Sequence, residues 1–199
     1  MQDNYQIQAM QAKQYFLSYD QQGLSIKCSL PADDRYLYPS LFSTPYRIDR
    51  RTGDMEKFLD GAWQSADSHG EVMTLLDLLC DSDPHRHAGG HFLSMQAFGH
   101  GFHQSLGEHN PLASRFDQHP QAVAAVCEEL YGIPFPAGDL AYVLPVFEDL
   151  RLVLQLWSGD EEFPPSLRFL WDENALQYLK YETMYYAVDV LTDRILSAF

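Results

Sequence analysis

Two strings in this chain carry side chains whose types and spacing could do chemistry. The first is a run of imidazoles, His85-Arg-His87-Ala-Gly-Gly-His91. On an extended backbone, residues two apart share a face, so His85 and His87 would present their rings together. Gly89-Gly90 would let His91 fold back as a third ligand. Three imidazoles and a water form a zinc arrangement that also suits other first-row divalent metals. With an acid such as Asp83 nearby, a metal-dependent enzyme with an open coordination position is one reading. The competing reading is a solvated loop, because every histidine except His69 lies in the glycine-rich stretch from His85 to His119. Metal ligands must be held by fixed neighbours, and glycines are expected to loosen them.

The second string is Trp157-Ser-Gly-Asp160-Glu161-Glu162-Phe163-Pro-Pro165. Its consecutive acids could receive a hard cation or a cationic ligand, although calcium loops alternate their ligands around an internal glycine turn. Acid–base work by paired carboxylates would need one desolvated member, for which Trp157 and Phe163 could form an apolar wall. The plainer alternative is a solvated acidic turn locked by Pro164-Pro165. The sequence contains no nucleophile elbow, P-loop, dinucleotide fingerprint or H-E-x-x-H, so no catalytic residue is assigned. Cys28, Cys80 and Cys127 are widely spaced, form no C-x-x-C and fall on apolar faces, the pattern of buried inert thiols.

Composition narrows the classes further. The 199 residues hold 13 Lys plus Arg against 28 Asp plus Glu, a formal charge of −15. A nucleic-acid binder needs a basic face to release counterions, so a nucleic-acid partner is not expected, nor is an anionic membrane surface. The 12 Phe, 12 Tyr and 3 Trp exclude a disordered chain. The N-terminal residues show no basic-apolar leader and no run reaches the ~18 apolar residues of a membrane span, which points to the cytoplasm.

The elements that must position these strings follow from periodicity. Tyr5, Ala9, Ala12, Phe16 and Tyr19 recur at helical spacing. Gly23 is expected to end that helix, and the alternation of Leu24, Ile26, Cys28 and Leu30 predicts a strand. Tyr46 to Asp54 enters a Gly53 turn, and Met55 to Trp63 returns through Asp60-Gly61. Ser68 and Glu71 form a capping box ahead of Val72, Leu75, Leu76 and Leu79. A further helix covers 120–131, with Gly132 expected at its left-handed C-cap. Ala141 to Phe147 and Leu150 to Trp157 predict a hairpin turning at Glu148-Asp149. Its second strand puts Leu150, Leu152, Leu154 and Leu156 on one face and Arg151, Val153, Gln155 and Trp157 on the other. Pro145 marks an edge or a bulge. Leu167 to Trp171 is a short strand, and Met184, Val188, Leu191 and Ile195 define a final helix. The expected fold is α+β: a single domain over residues 1–199 with a mostly antiparallel sheet covered by about four helices.

The acidic string also carries a family resemblance. A leucine-rich strand, W-x-G-D-E-E-F-P-P, an aromatic-Asp pair, Y-L-x-x-E and a C-terminal helix occur here as Leu150 to Trp157, Gly159 to Pro165, Trp171-Asp172, Tyr178-Leu179 with Glu182, and the closing helix. This order resembles the prokaryotic family called domain of unknown function 3786, over about residues 111–198, with Trp171 where Phe is usual. The resemblance implies no catalytic residue. It implies a bacterial, often anaerobic, setting and an accessory role in iron–sulfur or corrinoid redox metabolism, although the cysteines of an appended cluster domain are missing here. The reading taken forward is a non-catalytic ligand- or partner-binding module using Trp157, Asp160, Glu161, Glu162, Phe163 and Asp172 to hold a small molecule or protein. A metal-dependent enzyme with a divalent metal on His85, His87 and His91 is the first alternative. An accessory protein docking a basic redox partner through its negative field is the second.

Overall fold

The computed structural model describes residues 4–99 and 110–199. Asp3, which precedes the first helical repeat in the sequence, and His100, His103 and His109 lie outside the described residues. The architecture is α+β, and every strand pairing among the described residues is antiparallel. The strands form two sheets, in two compact units: residues through Arg86 with Gln177–Val190, and His87–Leu176 with Leu191–Phe199.

In the first unit, α1 (Asn4–Leu17) buries Phe16 and packs on α3 (His69–Cys80). The strand expected at 24–30 is instead a short helix, α2 (Gln21–Lys27), which runs through Gly23. Asp20 caps it, its carboxylate accepting the N–H of Gln22 at 3.1 Å. Leu24 and Cys28 are both buried, a spacing of four that fits a helix as well as the alternation fits a strand. Ile26 decides the matter, being 69% exposed where a strand face would have buried it. The first sheet comprises β1 (Tyr36–Leu37), β2 (Ser40–Leu41), β3 (Thr44–Asp49), β4 (Met55–Leu59) and β5 (Ala62–Ser65), ordered β1-β3-β4-β5 with β2 also on β3. Asp60 and Gly61, both at positive φ, make the two-residue turn between β4 and β5. Ser68 caps α3 as expected, but the carboxylate of Glu71 does not reach back to the cap's backbone. It is buried and accepts from the Ser68 hydroxyl (2.8 Å), the Tyr46 hydroxyl (3.0 Å) and the Lys57 ammonium (2.7 Å). The capping acid thus ties helix to sheet.

In the second unit, α4 (Pro111–Gln118) and α5 (Pro120–Glu129) pack on a sheet of β6 (Phe92–Ser94), β7 (Ile133–Pro134), β8 (Leu140–Phe147), β9 (Leu150–Trp157) and β10 (Ser166–Asp172), in the order β6-β10-β9-β8-β7. α4 was not anticipated, although Asn110 followed by Pro111 is a start signal, and the Asn110 carboxamide oxygen accepts the N–H of Leu112 at 2.9 Å. The leucine layer is as expected: Leu150, Leu152, Leu154 and Leu156 are fully buried. Pro145 sits at a register irregularity of β8, on a stretch that β7 is too short to pair. The last helix, α6 (Tyr181–Leu196), buries Met184 and Val188 in the first unit and Leu191 and Ile195 in the second.

The C-cap of α5 departs from expectation by one residue. Tyr131, not Gly132, takes the left-handed conformation, at φ +60°. The N–H of Gly132 bonds the carbonyl of Cys127 and the N–H of Tyr131 that of Glu128, the two bonds of a Schellman motif. Gly132 is required for a different reason: a Cβ there would lie 2.6 Å from the Cys127 carbonyl oxygen. Because Tyr131 is exposed and bears a Cβ penalty in this conformation, Tyr131→Gly should raise stability by about 0.5–1 kcal/mol. Gly132→Ala should lower it. Urea denaturation of the two variants checks the pair, and the opposite order would refute the cap assignment.

Candidate functional site

The acidic string forms the connection between β9 and β10, and aspartates hold it by its backbone. The Asp160 carboxylate accepts the N–H groups of Glu162 (2.8 Å) and Phe163 (2.7 Å), and the Asp160 N–H donates to the Phe163 carbonyl at 2.9 Å. The Phe163 and Glu162 amides hold the Asp160 carboxyl below the usual carboxylate range. Two acids distant in sequence complete the frame: Asp139 accepts the N–H of Ser158 at 2.8 Å, and Asp117 that of Gly159 at 2.9 Å. Gly159 packs so closely on Pro165 that a Cβ would fall 2.8 Å from its Cδ. A closed, fixed turn results. Asp160, Glu161 and Glu162 are exposed on it, and Phe163 is 66% exposed at its tip.

Trp157 stands at the foot of this turn, half-buried. Gly138, at φ +63°, lies against one side of the indole, where a Cβ would meet Cε2 at 3.4 Å. The Arg168 guanidinium lies 5.7 Å from its ring centroid. Asp117 and Asp139 were not singled out in the sequence. Nothing local marks them, because their bonds span 42 and 19 residues.

Asp172 lies elsewhere. It ends β10, six residues beyond Ser166, a strand length of about 20 Å from the acidic turn. Its side chain is 1% exposed. The carboxylate accepts the N–H groups of Gly89 (2.9 Å), Gly90 (2.8 Å) and Asn174 (2.9 Å). The structure therefore brings Asp172 to the histidine string rather than to the acidic one. Further bonds fix the same segment: Ala88 N–H to Asp149, the Asn174 carboxamide to the His87 carbonyl, and Glu173 N–H to the His91 carbonyl.

The glycines here tighten the loop rather than loosening it. Gly90 adopts φ +85°, and a Cβ on Gly89 would meet Glu173 at 2.5 Å. His85, His87 and His91 are exposed, and the backbone carbonyls of His87 and His91 take part in these bonds. Among the described residues no three His, Cys, Asp or Glu side chains are gathered as a metal ion would need. The cysteines are buried; burial, with a nearby acid, pushes Cys80 and Cys127 up to about 12. Neither Cys80 nor Cys127 is a thiolate near neutrality.

A family model described as Domain of unknown function (DUF3786) matches residues 20–194, and the chain belongs to this family. The match spans both compact units. No curated protein and no solved structure matches the chain.

The Asp172 geometry makes a stability prediction. Asp172→Ala leaves the amides of Gly89, Gly90 and Asn174 without the buried carboxylate that accepts them and should cost about 1–3 kcal/mol. Asp172→Asn keeps one acceptor oxygen and should cost less. Chemical denaturation of both variants checks this, and an Asp172→Ala variant as stable as the parent would refute the clamp.

Proposed function

We propose that this member of the 3786 family is a non-catalytic binding module that docks a basic protein partner on the β9–β10 turn. The observation that carries the reading is Phe163, a large apolar side chain presented to solvent on a turn whose backbone is fixed by Asp117, Asp139 and Asp160. An exposed aromatic on a rigid support loses little conformational freedom on association, the property of an interface anchor. Glu161 and Glu162 beside it give a negative rim, and the overall −15 charge draws in a cationic surface from a distance.

The Asp160 carboxyl is not set up as a general acid. A general acid needs a raised pKa, whereas Asp160 is lowered by the Phe163 and Glu162 amides. Its accepting oxygen is directed at its own loop. No helix among the described residues is long and apolar enough to cross a membrane, so membrane insertion by a described helix is not part of the reading.

A synthetic lysine-rich peptide carrying one Leu provides the probe, with fluorescence anisotropy as the readout. Binding to the full chain should weaken steeply with salt, and Phe163→Ser should weaken it by a further factor of roughly ten at fixed salt. Salt dependence that is unchanged in Phe163→Ser, with equal affinity, would mean general charge attraction and no docking site at the turn.

A further inference from the structure

The first sheet ends at β5, and this edge is left open. An edge strand invites another strand to pair with it, and proteins blunt such edges with charge, proline, a bulge or brevity. β7 has two residues, one of them Pro134, and β1 has two, bridged by Ala32. β6 has three. β5 has four, Ala62-Trp63-Gln64-Ser65, with no charge, no proline and no register shift against β4. All but the half-buried Trp63 are exposed.

Register shows which backbone groups of this strand are unused. The Ala66 N–H donates to the Met55 carbonyl at 3.0 Å, and from there to the turn β5 pairs with β4 residue for residue. Bonded and non-bonded pairs alternate in an antiparallel ladder. Gln64 and Ala62 therefore turn their backbone groups toward β4. Trp63 and Ser65 turn theirs outward, where no described residue bonds them. The Trp63 ring is held in place: the Arg47 guanidinium lies 4.5 Å from its centroid, and Phe58 meets it edge to face at 5.3 Å. Acid is also scarce here. Residues 35–65 hold five of the 13 Lys and Arg but only four of the 28 Asp and Glu.

We propose that two copies of this chain pair through β5, antiparallel across a two-fold axis, so that their first sheets join into one. Two observations select a second copy as the occupant. Chains of charge −15 repel one another, and they can approach closely only where acids are few, as they are on this sheet. The strand is also complementary to itself. An axis between the two Gln64 residues sets each Trp63 opposite a Ser65, so a large side chain meets a small one and no like charges are opposed. Every outward N–H and C=O of Trp63 and Ser65 then finds a partner, and the two indoles stand diagonally across the pair, within reach of each other. The contact is small, which places it among weak, concentration-dependent interfaces. It is independent of partner docking at the β9–β10 turn.

Sedimentation velocity on the full chain, between about 10 and 500 µM, should show a monomer giving way to a dimer. The backbone amides of Trp63 and Ser65 should gain hydrogen-exchange protection over the same range. Added salt should strengthen the dimer, because it screens repulsion between like-charged copies. Ser65→Pro removes an outward N–H and spares the ladder with β4, while Trp63→Lys brings two ammonium groups toward each other across the axis. Each should weaken the dimer by at least about tenfold in protein that circular dichroism shows to be folded. Ile133→Lys, on the edge of the other sheet, should leave it unchanged. The proposal is overturned by a chain that stays monomeric throughout, or by a dimer in which Trp63 and Ser65 gain no protection. A dimer that salt dissociates, that folded Ser65→Pro leaves as strong, or that Ile133→Lys weakens would overturn it equally.

Discussion

Aspartate carboxylates that accept backbone N–H groups hold the loops of this protein. Asp20 caps α2, Asp33 takes the amides of Arg35 and Tyr36, and Asp49 those of Arg51 and Thr52. Asp77 takes Lys180, Asp83 takes His85, Asp149 takes Ala88, and Asp160 and Asp172 close the turns at either end of β10. Charge-assisted bonds of this kind are shorter and stronger than neutral ones. The acidic composition therefore has a structural cause as well as an electrostatic consequence. Each aspartate fixes a turn and adds to a field that favours cationic partners.

The same arrangement bears on chemistry. A carboxylate stabilised in its ionised form is a poor proton donor near neutrality. Asp33 is lowered by the Tyr38 hydroxyl and by the amides of Tyr36 and Arg35, and Asp54 by the Lys13 ammonium and the Thr52 hydroxyl. Glu71 is buried, but it is tied to Ser68, Tyr46 and Lys57 as part of the first unit's framework. The β9–β10 turn presents Phe163 to solvent beside the exposed Glu161 and Glu162, with the half-buried Trp157 below it. On the proposed reading, this surface holds its partner by packing and orientation.

Much of the fold was legible because burial is simple where it matters most. The leucines of β9 alternate without exception and are all buried, and α6 repeats at spacings of four and three residues into the core. The errors have definite physical sources. At α2, Leu24 and Cys28 satisfy both periods, and only the exposure of Ile26 separates them. At α5 the glycine was read as the left-handed residue, whereas a close approach to the Cys127 carbonyl dictates it and Tyr131 bears the strained φ. The site was legible only where it is continuous in sequence. Asp160 and Phe163 stand in one string, but Asp117 and Asp139 reach that string through the fold. Asp172 belongs to the histidine loop because β10 carries it away from the acidic turn.

If aspartates hold the loops, their protonation must release them. The shift has a definite sign: Asp160 titrates below its usual value of 3.8, so its contribution is complete above that value and is lost as the pH falls through the lower, folded-state one. Amide hydrogen-exchange protection factors, measured residue by residue between pH 7 and pH 2, test this most directly. The account predicts that Glu162 and Phe163 are protected at pH 7 and lose protection together below pH 3.8, while the amides of β9 remain protected. Rapid exchange of the turn at pH 7, or protection there that survives full protonation of the carboxylates, would contradict it.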